Sequence, residues 1–288
     1  YRTHILALFT IATPISFLVG GPLSIWLLGF HGHLGLEGWQ WMFLVEGLPA
    51  CILGVITYKV LVNTPTEAKW LTDEERHALT TSLSNEKKAG ASQHNFKEVL
   101  KDVRVWILGS ITFSFTLGTY GIGIWLPQML KAQGVELSLI GWIAAIPYFF
   151  STIGLLFWAK HVDKTGKPIK NLIIALLLAG IALLVAVNLS GLVPALIGIT
   201  IALVGTISAK TIFYTLPGKF LSGQAAAGGI ALINSIGAFG GFVGPFLMGY
   251  LKTATNSFNS GFMIMGSILF FAVFMTLVLN FFMKKESV

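Results

Sequence analysis

The chain has 288 residues, a net charge of +7 and only 11 % charged residues against 55 % hydrophobic ones. Its mean hydropathy is +0.78, whereas soluble domains carry about 25 % charged residues, so a water-soluble globular domain is excluded. The single cysteine, Cys51, permits no disulfide within the chain and no cysteine-based metal site.

Eight apolar stretches follow one another, near 5–29, 40–62, 105–130, 138–160, 170–189, 192–216, 225–251 and 260–283. Each is at least about 20 residues, enough to cross a hydrocarbon core of ~30 Å as a helix. The predicted class is therefore an all-α membrane protein with eight transmembrane helices. Tyr1-Arg2-Thr3-His4 leads into the first stretch with no initiator methionine and none of the pattern of a signal peptide. The chain is expected to be the C-terminal part of a longer protein.

Assigning alternate loops to alternate faces explains the positive charge. Arg2, the basic residues of 59–104, Lys160, Lys164, Lys167, Lys170, Lys219, Lys284 and Lys285 share one face, and only Lys131 and Lys252 lie on the other. By the positive-inside rule the lysine-rich face is cytoplasmic, with both ends and the long loop on that side. The basicity reads as topology and not as a nucleic-acid surface.

Along the chain, the first span carries a Gly20-Gly21-Pro22 break. His31 and His33 follow in an exposed turn, a pair without a third metal ligand. Glu46 lies about six residues into the second span, roughly 9 Å deep at 1.5 Å per residue. It is either a proton-titrating carboxylate or a hydrogen-bonded packing residue. Cys51 reads as a small buried side chain. Residues 1–62 would then be two helices of one bundle, 63–104 a cytoplasmic linker, and 105–288 a six-helix bundle. Within the linker, Thr72 and Glu75 form a capping box opening an amphipathic helix through about Leu83, followed by a polar run from Ser84 to His94.

In the six-helix part, Ser110 and Ser114 read as helix serines bonded back to the preceding turn. Lys210 lies inside a span, where it either meets an anionic ligand or snorkels to the cytoplasmic face. Ser208, Thr211 and Tyr214 add hydroxyls beside it. Asn234 is an amide in an otherwise apolar span and needs a partner helix or a wet cavity. Gly237 with Gly241 and Gly240 with Gly244 are spaced for close helix contact. Gly244-Pro245 echoes Gly21-Pro22, and paired Gly/Pro-interrupted spans point to repeats of a transporter. No HExxH, GxSxG or phosphate-loop pattern occurs, so neither enzyme chemistry nor a cofactor is expected.

Several strings, in order, resemble one family. Gly38-Trp39-Gln40-Trp41-Met42-Phe43-Leu44-Val45-Glu46-Gly47-Leu48-Pro49-Ala50 resembles the opening of the sixth helix of the anion:cation symporters, a branch of the major facilitator superfamily. Ala68-Lys69-Trp70-Leu71-Thr72 with Glu74-Glu75-Arg76 is similar to its linker. Tyr120-Gly121, Trp125-Leu126-Pro127-Gln128 and Ile146-Pro147-Tyr148 resemble its seventh and eighth helices. Leu221-Ser222-Gly223, Ile233-Asn234-Ser235-Ile236-Gly237 and Gly240-Gly241-Phe242-Val243-Gly244-Pro245 resemble its eleventh. The chain would then begin at the fifth of twelve helices.

The resemblance implies a monomeric secondary transporter in a bacterial inner membrane. It would import small organic anions, such as sugar acids, aromatic carboxylates or tartrate-like compounds, with a proton or another cation. The alternative is a non-transporting sensor built on the same bundle. Independently of the resemblance, polar groups are sparse in these spans and cannot face lipid cheaply, so Asn234, Tyr120, Tyr148, Lys210 and Thr211 are expected to form one wall of an anion-binding cavity. Asp163-Lys164-Thr165-Gly166-Lys167 resembles the superfamily's cytoplasmic loop motif, in which Asp163 would pair with a neighbouring helix end. Asp163 and Gly166, with Glu46, Gly21, Pro22, Gly244 and Pro245, form the expected gating and structural set.

Overall fold

A computed structural model of the chain describes residues 2–89, 96–189, 191–219 and 223–285. The end of the polar run, with His94, and Leu221-Ser222 of the family-like string lie outside the described residues. The first span consists of α1 (Arg2–Thr10) and α2 (Ala12–Leu28), and the second is α3 (Gly38–Val60). The linker holds α4 (Asp73–Ala89) and α5 (Phe96–Lys101). The six-helix part comprises α6 (Val103–Ala132), α7 (Leu137–Thr165), α8 (Pro168–Asn188), α9 (Leu192–Phe213), α10 (Gly223–Thr255) and α11 (Asn259–Lys285). Eight stretches are long and apolar enough to cross a membrane, as the sequence led us to expect.

The expected breaks are not seen. At Gly20-Gly21-Pro22 and at Gly244-Pro245, α2 and α10 run on as helices. Between α1 and α2, Ile11 keeps α-helical dihedrals (φ −59°, ψ −25°), so the first span continues as one helix, and Pro14 only removes the N–H that the Thr10 carbonyl would accept. Around Gly21 the helix is braced from outside: a Cβ on Gly141 of α7 would come within 2.7 Å of the Gly21 carbonyl.

In the linker, the Thr72 hydroxyl accepts the Glu75 N–H at 3.3 Å and the Glu75 carboxylate accepts the Thr72 N–H at 3.0 Å. The backbone N–H and the hydroxyl of Thr72 hold the Glu75 carboxyl below its usual range. The helix runs to Ala89, past its expected end at Leu83, through a stretch that includes the good helix formers glutamate and lysine.

The six-helix part packs through glycines. A Cβ on Gly240 or Gly244 of α10 would collide with the carbonyl of Phe113 or Leu117 on α6, so these two helices meet backbone to backbone. Gly205 of α9 lies in the same way against the Ala175 carbonyl of α8. Ser110 and Ser114 donate to the carbonyls of Trp106 and Ser110 at 2.9 and 2.8 Å.

The first span lies antiparallel along α7, with Thr3 and His4 opposite Asp163, Phe17 on Tyr148 and Gly21 on Gly141. Helix α3 packs on α2 and on little else among the described residues. Cys51, read from the sequence as buried, is therefore exposed. An apolar run marks a span, but burial of one residue within it needs a helix opposite that face.

Candidate functional site

Two adjoining cavities open between α1–α2, α6, α9 and α10. One, of about 40 Å³, is bordered by Thr10, Thr13 and Phe17 from the first span, by Thr116, Thr119, Tyr120 and Gly123 from α6, and by Lys210 and Thr211 from α9. The other, of about 350 Å³, shares Thr116, Tyr120 and Lys210 and adds Tyr214, Asn234 and Gly241. Lys210 thus stands between them, half-buried, and makes no ion pair with another described residue. Among the residues that share these walls with Lys210, Thr13, Thr116 and Tyr120 form no side-chain hydrogen bond to other described residues and can still serve a ligand.

Four of the five expected wall residues, Tyr120, Asn234, Lys210 and Thr211, border one cavity or both. Asn234 is held by α9, since the Tyr214 hydroxyl donates to its Oδ1 at 2.9 Å. That leaves the amide N–H₂ of Asn234 as a donor toward the cavity. Tyr148 sits behind the wall: it is buried, its ring stacks on Phe17 at 4.7 Å, and its hydroxyl lies against Gly123. Thr10, Thr13, Thr116 and Thr119 went unnoticed in the sequence. The signal was present, because Thr112, Thr116, Tyr120 and Gly123 recur at helical spacing as a polar stripe on an apolar helix.

Of the gating set, Asp163, Gly21 and Pro22 lie on the seam between the first span and α7, and the others lie elsewhere. On the lysine-rich face, the Asp163 carboxylate accepts the N–H groups of Thr3 and His4 at 3.1 and 2.9 Å, a negative charge on the positive end of α1. Gly166 ends α7 with φ of 63°, a left-handed conformation that glycine adopts without strain. Glu46 accepts the Ser24 hydroxyl at 2.7 Å, tying α3 to α2. Pro245 offers its carbonyl to the Trp125 indole at 2.9 Å, joining α10 to α6. His31 pairs with Glu37 at 2.9 Å in the turn before α3.

The profile of the Major Facilitator Superfamily matches residues 1–245. The chain is 41 % identical over 279 residues to an Agrobacterium vitis protein that carries the name putative tartrate transporter, covering 96 % of this chain and 62 % of that one. It is 35 % identical over 281 residues to the quinolone resistance transporter of Acinetobacter baumannii, covering 96 % and 65 %. The chain thus spans a little under two thirds of the length of these relatives. Among solved structures, a variant of the Escherichia coli fucose:proton symporter superposes with a TM-score of 0.59 at 14 % identity. That match covers 97 % of this chain and 87 % of that one, and it supports the shared fold. Eight apolar spans, helices that border cavities beside a half-buried lysine, and these similarities converge: the chain belongs to the Major Facilitator Superfamily.

Proposed function

We propose that this protein carries small organic anions across a bacterial inner membrane, in symport with a proton or another cation. The observation that carries the reading is Lys210, a cation within the apolar bundle that has no ion-pair partner among the described residues and borders both cavities together with unused hydroxyls. A charge at that depth is expensive unless an anion or water meets it. Lys210 takes the carboxylate, while Asn234, Tyr120 and Thr211 hydrogen-bond the rest of the ligand, with Tyr214 orienting Asn234. The relative named for tartrate is in keeping with this chemistry. Asp163, clasping the start of α1, acts as a latch on the cytoplasmic side, and Glu46 serves packing through Ser24.

The test is uptake of labelled tartrate and related carboxylates by the full-length protein in proteoliposomes under an imposed proton gradient. Gradient-dependent accumulation is expected. Saturable binding without flux would instead support a sensor built on the same bundle, and neither binding nor flux of any carboxylate would overturn the reading.

A further inference from the structure

The two cavities have three residues in common, Thr116 and Tyr120 of α6 and Lys210 of α9. These three stand at the junction, where a ligand group meets them whichever cavity takes the rest of it. Thr116 and Tyr120 are four positions apart and share one face of α6.

Thr116 differs from the other threonines along this wall of α6. Thr112 and Thr119 donate to the carbonyls of Leu108 and Phe115 at 2.9 and 2.8 Å, which satisfies a helix hydroxyl within its own turn. The Thr116 hydroxyl makes no such bond and has no hydrogen-bond partner among the described residues. Nor is it sealed off in the way of the unpartnered hydroxyls of Tyr148 and Ser208: the residue is half-buried and borders both cavities. Packing sets its position. The Thr116 methyl lies toward Gly241 of α10, where an added Cβ would stand 3.6 Å from it and 3.6 Å from the Tyr120 ring. The methyl thus takes the contact with α10, and the hydroxyl is the branch left to the cavities. An open hydroxyl on the wall of an apolar bundle calls for water or a ligand. A carboxylate has two oxygens that both accept, and the wall offers two kinds of donor, the Lys210 ammonium and this hydroxyl.

We propose that Thr116 is a further ligand-binding residue, which together with Lys210 seats one carboxylate group at the junction of the two cavities. The inference rests on the reading of these cavities as an organic-anion site. Lys210 supplies the charge and donates to one carboxylate oxygen, and the Thr116 hydroxyl donates to the other. A hydroxyl bonded to an ionised acceptor is of the stronger kind.

Equilibrium binding of tartrate to the full-length protein, with thermal unfolding run beside it, reads the seat. Thr116→Val keeps the methyl and the shape and removes the hydroxyl, while Thr116→Ser keeps the hydroxyl and removes the methyl. Thr116→Val should weaken tartrate by about tenfold or more, without lowering the melting temperature, because no bond within the protein is lost. Thr116→Ser should bind within about threefold of wild type. In the Lys210→Gln background, Thr116→Val should cost less than it does alone, because the two side chains hold the same carboxylate. If Lys210→Gln binds too weakly to measure, the valine and serine variants decide alone. Wild-type affinity in Thr116→Val, equal losses in the valine and serine variants, or a valine loss of the same size in both backgrounds would overturn the seat and leave the organic-anion reading intact. No binding of any carboxylate by wild type would overturn both.

Discussion

The hydroxyls of Thr10 and Thr211 stand 2.9 Å apart, joining the end of α1 to α9 across 201 residues of sequence. Thr10 also contacts the Leu6 carbonyl at 2.8 Å, whereas the carbonyl contact of Thr211, to Ile207, is longer at 3.5 Å. The Thr10 proton therefore goes to Leu6, and Thr211 donates to Thr10. Thr10→Val and Thr211→Val should each destabilise the protein by about 0.5–1.5 kcal/mol. In the double variant the losses should fall short of their sum, because both break the same bond. Thermal unfolding of the four purified forms checks this, and strictly additive losses would show that the contact contributes nothing.

The clasp of Asp163 on the N–H groups of Thr3 and His4 places a full charge at a helix terminus. Asp163→Asn keeps an acceptor there and removes the charge, which should weaken the clasp by about 1 kcal/mol, or about fivefold in the open population. Ala7, a fully buried residue of α1, is the reporter position. A cysteine introduced by Ala7→Cys should react with a membrane-impermeant maleimide about fivefold faster in the Asp163→Asn background. An unchanged rate would remove Asp163 from the latch.

Glycine positions divide by what surrounds them. Gly244 has the Leu117 backbone where a Cβ would go, whereas nothing lies within 4 Å of the corresponding point on Gly20. Gly244→Ala should therefore cost about 1–3 kcal/mol through overpacking of α10 on α6. Gly20→Ala should be neutral, or stabilising by up to about 1 kcal/mol from helix propensity. Melting curves of the two variants, compared with wild type, decide the matter, and similar behaviour of both would contradict the backbone contact between α6 and α10.

Features set by neighbours in sequence were legible before the structure. The eight spans follow from runs of apolar residues, and the Thr72–Glu75 box lies within one turn of chain. The backbone bonds of Ser110 and Ser114 are equally local. What depends on distant partners was not legible. Cys51 looks like any buried residue of an apolar helix until α3 is seen to lack a neighbour on that side among the described residues. Thr10 gains its place only because Thr211 comes up beside it. The helix break was expected at Gly21-Pro22 on composition, yet α2 runs on through Pro22, where Gly21 lies against Gly141 of α7. For the cavity, Lys210, Tyr120 and Asn234 stood out because polar groups are rare in these spans. The threonines beside them did not, since a helix threonine can bond to its own preceding turn, as Thr10 and Thr119 do.

The central claim is that Lys210 meets the carboxylate of the ligand. Equilibrium binding of tartrate to the full-length protein, wild type against Lys210→Gln, tests it most directly when run beside thermal unfolding of both forms. Loss of a hydrogen bond between charged groups should lower affinity about ten- to a hundredfold with little change in melting temperature. An affinity unaltered by Lys210→Gln would contradict the account and leave the lysine as a side chain reaching toward the membrane surface.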